Sequence, residues 1–440
     1  MKKLWFLLFV LFSVVSIYPQ TMTQNSNNLS GGLGMNFIDG KGYFNFRFTP
    51  EFAISKVGVG LDLNLEVGTD GKIRKENFNE TSDYLSIIRY VRYGNKKDPV
   101  FVRVGAIDAY TLGHGSVMYM YNNSPSFDAR KIGLVVDIDF DKWGFESIYS
   151  DFSQGGIFGA RAYTKPLKFT ALSEVPVLGN LEAGATFATD LNKYSGVRTG
   201  HTDANGAFVA DVDDKSVSVM GIDLGLPLFT TSFASSSLYL DYVKIMNAGN
   251  GTSAGILFNF GSGGMLSASF KLERRWNSSE FAPSYFNALY ELERFKFSSP
   301  NIVQSKFNAL KLMTSADNGY FGGLGVNVLN LVTVNGSYQR LDKDSKSGLL
   351  HISADLVPKD LPFLARAGYD KMNIQSESDM FKLDDRSVLF AETGYKPYSF
   401  MLVTMVYQWT YTPTRDASDN ITGFKPQKKV EPRVYFIYPF

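Results

Sequence analysis

The sequence predicts an all-β fold, a single antiparallel, up-and-down β-barrel that spans a membrane. Three observations predict it: a secretory leader, long segments in which every second residue is apolar, and an alternating aromatic segment at the C-terminal end.

The N-terminus has the pattern of a secretory signal peptide. Two lysines, Lys2 and Lys3, precede an almost unbroken apolar run over residues 4–17. A helical membrane anchor needs about 20 apolar residues, and polar residues begin soon after this run. We therefore expect residues 1–19 to be a signal peptide, cleaved somewhere between 16 and 21, and residues 20–440 to form the barrel.

Composition narrows the classes of protein. The formal net charge is +1, and removal of the two leader lysines lowers it to −1, so charge gives no reason to expect a nucleic acid partner. The chain has no cysteine, which excludes disulfides, thiolate metal sites and a lipidated N-terminal cysteine. The 40 glycines and 15% aromatic residues, without a second long apolar run, favour β-structure. No cofactor is expected.

The alternation is clearest in residues 43–54 and 57–68. In both segments every second residue is apolar and most residues between are polar or glycine, with a fault only at Pro50. Ser55 and Lys56 then form a two-residue turn. The resulting register pairs Ile54 with Val57, Phe48 with Leu63 and Arg47 with Asn64, and sets Asp62 and Glu66 diagonal to Arg47.

Similar segments recur along the chain, and many are ten to twelve residues long. A tilted strand needs about 9 to 11 residues to cross a bilayer, whereas strands of soluble sheets average about 5 or 6. The candidate strands number 22, an even number as bacterial barrels require, and lie near 30–38, 43–54, 57–68, 84–94, 99–108, 129–140, 143–153, 156–165, 180–191, 216–227, 236–246, 253–262, 265–276, 286–297, 306–314, 319–329, 331–341, 347–357, 363–372, 387–396, 399–411 and 429–440.

The weakest candidate lies within residues 283–297, where Phe286, Leu289, Tyr290 and Glu293 also fit helical spacing. A short helix there would leave 20 strands, so the expected range is 18 to 22 strands. Whether this segment is strand or helix stays open at this point.

The connections divide between the two ends of the predicted barrel. With both termini in the periplasm, the long polar connections fall outside: 69–83, 109–128, 192–215, 373–386 and 412–428. The tight turns fall on the periplasmic side: 55–56, 95–98, 141–142, 263–264 and 397–398. This division is typical of outer-membrane barrels. Three periplasmic connections, 166–179, 228–235 and 298–305, are long for such turns.

Aromatic residues mark the C-terminal end and the predicted strand ends. Val434, Phe436, Tyr438 and Phe440 alternate up to the last residue, which resembles the signal recognised by the outer-membrane barrel assembly machinery, although Pro439 departs from it. We therefore expect an outer-membrane location in a Gram-negative bacterium, assembly by that machinery and periplasmic chaperones, and contact with outer-membrane lipid and lipopolysaccharide. Interfacial girdles are expected from Trp143, Tyr242, Trp276, Tyr395, Tyr398, Trp409 and Tyr411.

Two further segments carry a family resemblance. Leu112, Gly113, His114 and Gly115 form a Leu-Gly-x-Gly segment in one outer loop, and Glu273 with Arg274 precedes an aromatic stretch over 285–291. At these positions the chain resembles an uncharacterised, porin-like family of Gram-negative bacteria. The resemblance implies a barrel and carries no activity with it.

Histidine is the discriminating residue for an outer-membrane enzyme, because the phospholipases need a His-activated serine and the proteases a His with carboxylates. The chain has His114, His201 and His351, none in a His-x-Ser-Asn-Gly context, so we expect no enzyme. Oxygen ligands suited to Ca²⁺ occur in one loop, but their spacing is not that of an EF-hand, and a solvated acidic loop is the preferred interpretation. They are Asp203, Asn205, Asp211, Asp213 and Asp214.

The inward-facing charges are the candidate functional set. They are Arg47, Asp62, Glu66, Arg103, Asp137, Asp139, Lys271, Glu273, Arg275, Arg366 and Asp370. Their mixed signs predict a passive pore or uptake channel with weak ion selectivity. A structural or adhesive surface barrel is the alternative, and an enzyme is less favoured. We expect no separate plug domain, with loops 109–128 and 192–215 as the lumen filler. The transported substrate and the oligomeric state stay open.

Overall fold

The computed structural model describes residues 27–96, 98–261, 265–356 and 361–439. The predicted signal peptide with its cleavage site, the turn at 263–264 and Phe440 lie outside these residues. The strands are β1 Asn28–Ile38, β2 Lys41–Phe48, β3 Glu51–Ile54, β4 Val57–Leu61, β5 Leu63–Gly68, β6 Ile88–Tyr93, β7 Val100–Gly105, β8 Gly133–Asp139, β9 Trp143–Tyr149, β10 Ile157–Thr164, β11 Glu182–Asp190, β12 Val197–Thr202, β13 Phe208–Asp213, β14 Val217–Thr230, β15 Ala234–Ile245, β16 Asn250–Gly261, β17 Leu266–Asn277, β18 Lys296–Ser299, β19 Ile302–Gln304, β20 Gly319–Val328, β21 Val332–Leu341, β22 Gly348–Leu356, β23 Phe363–Ile374, β24 Ser387–Tyr398, β25 Met401–Arg415 and β26 Ile421–Pro439.

Short helices occupy the connections. The α-helices are α1 Thr81–Leu85, α2 Tyr290–Glu293 and α3 Lys306–Lys311, and the 3-10 helices are Lys75–Asn77, Pro166–Phe169, Ala171–Glu174, Leu178–Asn180 and Glu377–Asp379. No helix in the described residues is long and apolar enough to cross a membrane.

The sheet closes on itself as a barrel of twenty crossing strands. Each strand pairs antiparallel with its neighbours in the chain, and β1 pairs with β26 from Asn28 opposite Pro439 to Ile38 opposite Lys429. Residues 49–50 interrupt β2 and β3 within one crossing, and Asp62 interrupts β4 and β5 within the next. The hairpins β12–β13 and β18–β19 stand apart from this sheet.

Two of the 22 candidate strands were wrong, those at 286–297 and 306–314. The first contains α2 followed by the short β18, and the second contains α3. In the first segment Phe286 and Tyr290 lie in one buried apolar cluster and Leu289 in another, and the Ser305 side chain caps α3 by accepting a hydrogen bond from the backbone N–H of Asn308 at 3.0 Å. The helical alternative therefore holds, with twenty strands.

The first hairpin has the predicted register. Ile54 lies opposite Val57, Phe48 opposite Leu63 and Arg47 opposite Asn64. Arg47 and Asp62 form the expected diagonal ion pair, with Nη2 and Oδ2 2.8 Å apart. Glu66 does not join them.

The apolar face of the strands is outermost and the charged face is inside. Leu33, Ile222 and Leu272 are each 62% exposed on the outer surface, whereas Glu66, Glu273 and Lys371 are buried inside. A soluble β-sandwich would have the reverse arrangement, because its apolar faces meet in the core. The protein is thus an outer-membrane β-barrel, and the apolar exterior is the surface that faces lipid.

The two ends of the barrel differ as predicted. At one end, which we call the turn end, the connections are six residues or shorter, except for 165–181 with its three 3-10 helices. The other end, the loop end, carries 69–87, 106–132, 191–216 and 278–318. Two predicted connections differ in the structure. Segment 298–305, predicted at the turn end, is part of the long loop 278–318 at the loop end, and 412–428 is mostly strand, because β25 and β26 extend beyond their neighbours.

Two loops enter the lumen from the loop end, and we call residues 106–132 and 278–318 together the plug. Their backbones join where the N–H of Tyr119 donates to the Phe286 carbonyl at 3.0 Å and the N–H of Phe286 donates to that of Val117 at 3.2 Å. Loop 109–128 is the filler that the sequence predicted. Loop 192–215 is not, because it forms the β12–β13 hairpin at the loop end, where β13 is largely exposed, and 278–318 takes its place.

Candidate functional site: a charged chamber beside the plug

The plug packs against one side of the barrel. Its buried apolar residues, among them Leu112, Met118, Tyr121 and Phe286, form one cluster with apolar side chains of strands β7 to β15. The strand residues in this cluster are Phe101, Val135, Ile148, Ile157, Ala188, Val217, Val219, Val243 and Ile245. The lumen on this side is therefore filled like the core of a globular protein.

A buried charge network holds the two plug loops to each other and to β11. The Arg294 guanidinium donates to both Glu291 oxygens, at 2.7 and 2.8 Å, and to Asp190 at 2.6 Å. Lys131, from the other loop, contacts Glu291 at 2.5 Å. Burial alone would raise the pKa of Glu291, but the two cations outweigh it and hold that pKa below its usual range.

The plug also reaches the opposite wall near the loop end. Ser126 donates to the Tyr411 carbonyl at 2.7 Å, and Asp128 forms a salt bridge with Arg74 of loop 69–87 at 2.7 Å. The plug is thus attached to both sides of the lumen at this level.

The space left beside the plug is a chamber of about 740 Å³. Residues of β1 to β3, Asp62, β6 and β22 to β26 line it on the barrel side, and residues 106–132 with Ala288 and Leu289 line it on the plug side. Lining residues such as Lys396 and Ile437 belong to the turn end of their strands, whereas Pro125 and Ser126 lie under the loop end. The chamber therefore extends from the turn end up to the plug.

Charged side chains of both signs face the chamber. Arg47 donates to both oxygens of Asp62, at 2.9 and 2.8 Å, and Arg433 donates to Glu392 at 3.0 Å. Arg366 is held more loosely, 3.9 Å from Glu392, with 46% of its side chain exposed. On β1, the residue opposite Arg433 is Gly34. A Cβ on Gly34 would lie 2.9 Å from the Arg433 Cβ and 2.4 Å from a backbone oxygen, so a larger residue would displace β26.

Four of the predicted inward charges line this chamber: Arg47, Asp62, Arg366 and Asp370. Asp370 contacts His351 Nδ1 at 2.8 Å. The structure brings these four into one space, although they come from distant parts of the sequence.

The remaining inward candidates lie elsewhere. Glu66 keeps the predicted diagonal position in the register, but its side chain is buried under loop 69–87 and binds Lys429 at 2.5 Å and Arg74 at 3.0 Å, and not Arg47. The others are Arg103, 3.5 Å from Asp108; Asp137, which accepts from Tyr110 at 2.6 Å; Glu273, 2.7 Å from Lys271 and 2.5 Å from Arg275; and the exposed Asp139 at the turn end.

The Leu-Gly-x-Gly segment is the tip of the first plug loop. Gly113 and Gly115 have φ of 52° and 94°, so the glycines, and not His114, adopt the left-handed backbone. His114 Nδ1 lies 2.8 Å from Asp241 and 4.0 Å from Asp223. This anchoring role of His114 was not predicted from the sequence, and the glycines on either side of it were the signal that could have indicated it.

His114, Asp223 and Asp241 are also the one group of three potential metal ligands in the described part of the chain. Asp223 already accepts two hydrogen bonds from Arg161, at 3.0 and 2.6 Å. Four of the five predicted calcium ligands have partners of their own: Asp203 accepts from the N–H of Asn205, Asp211 pairs with His201, Asp213 accepts from the N–H of Lys215 and Asp214 pairs with Arg198. The solvated loop is the better description.

The described part of the assembly segment faces outward. Phe436 and Tyr438 are 50% and 67% exposed, and Val434 is partly exposed on the same face. Of the predicted girdle residues, Trp143, Tyr242, Trp276, Tyr395 and Tyr398 are exposed. Trp409 is partly buried, and Tyr411 is buried because its hydroxyl binds the Ser387 carbonyl, so Tyr411 does not belong to a girdle.

Comparison with solved structures finds barrels of Pseudomonas aeruginosa. OccK11 (OpdR) matches with a TM-score of 0.33 and 10% identity, over 94% of this chain and 95% of that one. OpdK, solved with vanillate, matches with a TM-score of 0.33 and 10% identity, over 94% and 98%. The ferric enterobactin receptor PfeA matches with a TM-score of 0.39 and 8% identity, over 95% and 82%. No protein-family model and no curated protein matches the chain.

Proposed function

We propose that this barrel is a passive uptake channel with weak ion selectivity, and that its conduit is the chamber beside the plug. The observation that supports this most directly is the chamber itself: a space of about 740 Å³, lined by charged side chains, that extends from the turn end to the plug. A structural barrel has no need of such a space, whereas a channel for small polar solutes does.

Weak selectivity follows from the pairing of the charges. Arg47 with Asp62 and Arg433 with Glu392 place both signs on the same wall, so neither cations nor anions meet a uniform field. No enzymatic activity is proposed. Assembly by the barrel machinery with periplasmic chaperones is also proposed, and the outward aromatic face of β26 supports it.

Single-channel conductance of the refolded protein in a planar bilayer tests the proposal. We expect small, weakly selective openings, and Arg47→Glu should shift the reversal potential toward cation selectivity, because it adds a carboxylate beside Asp62. Its folding cost should be about 3 to 5 kcal/mol, because Asp62 is buried and would face the new carboxylate with Arg130, 3.3 Å away, as its remaining counter-charge, so heat-modifiable migration must first establish that the variant is folded. Lys41→Glu is the matched control: Lys41 is exposed at the loop end and lies outside the chamber lining, so selectivity should not change.

A structural or adhesive surface barrel is the second candidate, favoured by the attachment of the plug to both walls. It predicts that a heat-modifiable, correctly folded barrel conducts no current, and that it stays silent when residues 109–128 are replaced by a short glycine-serine linker. That pair of results would exclude the channel. If current appears only after the replacement, the native plug holds the channel in a closed state.

A further inference from the structure

We propose that the outer wall of the barrel carries a specific site for the phosphorylated glycolipid of the outer leaflet, the lipid A part of lipopolysaccharide. The site is a groove across β15, β16, β17, β20 and β21, on the face opposite the lumen. This proposal is independent of conductance, because it concerns only the lipid-facing surface.

The groove results from small residues among large ones. Ala254 and Gly322 lie outward between Leu240, Leu272 and Tyr320, and the resulting depression has a volume of about 1110 Å³. Its lining is almost entirely apolar away from one edge. Five strands spaced about 4.8 Å apart make it roughly 20 Å wide, so it suits several acyl chains side by side better than a single one.

Two arginines lie in one cross-strand row at that edge. Arg274 is paired with Tyr320, and Tyr320 with Arg340, in the register of β17, β20 and β21. The same face of β17 carries Trp276 two residues closer to the loop end, and Trp276 is 45% exposed. Because aromatic residues of this kind mark the membrane interface, the arginines lie where hydrocarbon gives way to lipid headgroups.

The charges at this edge favour an anionic headgroup. Asp342 neutralises Arg274, at 2.7 Å, and the Arg274 guanidinium stacks 4.1 Å from the Tyr320 ring. Arg340 is exposed, and in the described part of the chain it has no carboxylate partner, only the Ser345 carbonyl at 3.4 Å. Lys343 and Lys346 follow in the adjoining loop. A guanidinium at a membrane interface without a counter-charge is suited to a phosphate, which it can bind through two hydrogen bonds.

The commitment to lipid A rests on the combination of the two features. A phospholipid of the inner leaflet would place its phosphate at the turn end, whereas these arginines lie at the loop end. A lipid with several acyl chains and a phosphate fits both the width of the groove and the position of its cations.

Lipid binding to the full-length refolded barrel can be measured by native mass spectrometry in detergent, with lipid A titrated as the probe. Arg340→Gln removes the unpaired cation and leaves the Arg274 pair intact. Gly322→Leu fills the groove: a Cβ at this position would lie 3.7 Å from Leu272 Cδ2, an ordinary contact, so the fold should tolerate it. We expect each change to weaken lipid A binding about tenfold or more. Lys41→Gln, which removes a loop-end cation far from the groove, should have no effect.

Heat-modifiable migration establishes that every variant is folded before its binding is compared. Unchanged lipid A affinity in both Arg340→Gln and Gly322→Leu would overturn the site. Equal affinity of the native protein for phosphatidylglycerol and lipid A would overturn the assignment to the glycolipid, and would show a site for any lipid phosphate. A twofold or smaller difference between native protein and Lys41→Gln is expected, and a larger one would show that binding follows total charge.

Discussion

Replacement of Arg294 by methionine should release the plug from the lumen. In the native protein this one guanidinium makes three charge-assisted hydrogen bonds to Glu291 and Asp190, and all three side chains are at most 7% exposed. Methionine keeps most of the volume but leaves Glu291 with Lys131 and the Tyr121 hydroxyl, and leaves the buried Asp190, within the described part of the chain, with no cation, only the Tyr290 hydroxyl and the N–H of Asn192. Loss of one partner from a buried ion pair costs about 3 to 5 kcal/mol, so the plug should open in roughly a hundred to several thousand times more molecules.

Hydrogen exchange of residues 106–132 measures this opening. The amide of Tyr119 is a suitable reporter, because it is bound to the Phe286 carbonyl and exchanges only when the two plug loops separate. Its exchange rate should rise by the factor given above, while amides of the β25–β26 pair keep their protection. Arg294→Lys retains the charge without the planar guanidinium, so its Tyr119 exchange rate should lie between those of the native protein and Arg294→Met.

Arg386→Met provides the control for removal of an arginine as such. Arg386 also binds two carboxylates, Asp379 and Asp384, but in a partly exposed loop, where such pairs contribute about 1 kcal/mol or less. Arg386→Met should leave the hydrogen exchange of the plug amides unchanged. Tyr119 exchange within fivefold of native in Arg294→Met, in a barrel that stays heat-modifiable, would refute the argument that the buried network holds the plug.

Two further predictions follow from the loop end. Single cysteines at Asn205 and Ser418, both exposed there, should react on intact cells with a membrane-impermeant thiol reagent, and a cysteine at Lys56 at the turn end should not; the opposite pattern would invert the topology. Burial raises the pKa of Asp384, but hydrogen bonds from Arg386 and from the buried lysine of β23 outweigh it and lower that pKa to about 2. Because the folded-state pKa is depressed, the stability that Asp384 gives loop 375–386 is complete above its unfolded pKa of about 4. It should be lost as the pH falls from there to about 2, and protection factors of the loop amides that stay constant from pH 5 to pH 2 would contradict this.

The barrel was predictable because its strands obey a local rule. Period-two alternation fixes which residues face lipid, and a two-residue turn fixes the register, which is why the pairing of Phe48 with Leu63 followed from counting alone. The plug does not obey a local rule. Residues 283–297 mix aromatic residues with the charged Glu291, Glu293 and Arg294, and the short helix among them packs against loop 106–132 and β11, which are distant from it in the sequence.

The surroundings of the charged residues could not be predicted from the sequence for the same reason. Alternation indicates that a side chain points inward but not whether it meets a chamber, a plug or another loop. Arg366 and Glu273 have the same signal in the sequence, yet the first faces open space and the second is buried beneath Tyr239 and Lys271. That difference depends on which loops fold into the lumen, and pairings between residues 100 or more positions apart decide it, such as Tyr290 with Asp190.

The position of the plug restricts the order in which this protein can be assembled. Loop 106–132 packs on strands that are its near neighbours in the sequence, β8 to β15, whereas the seam joins β1 to β26 across almost the whole chain. Chain closure over so long a separation costs more conformational entropy than local pairing, so the seam is expected to form last. On this expectation the contacts of loop 106–132 with these strands form before the seam closes, and the apolar cluster is already in place when the remaining strands pack against the other side of the plug.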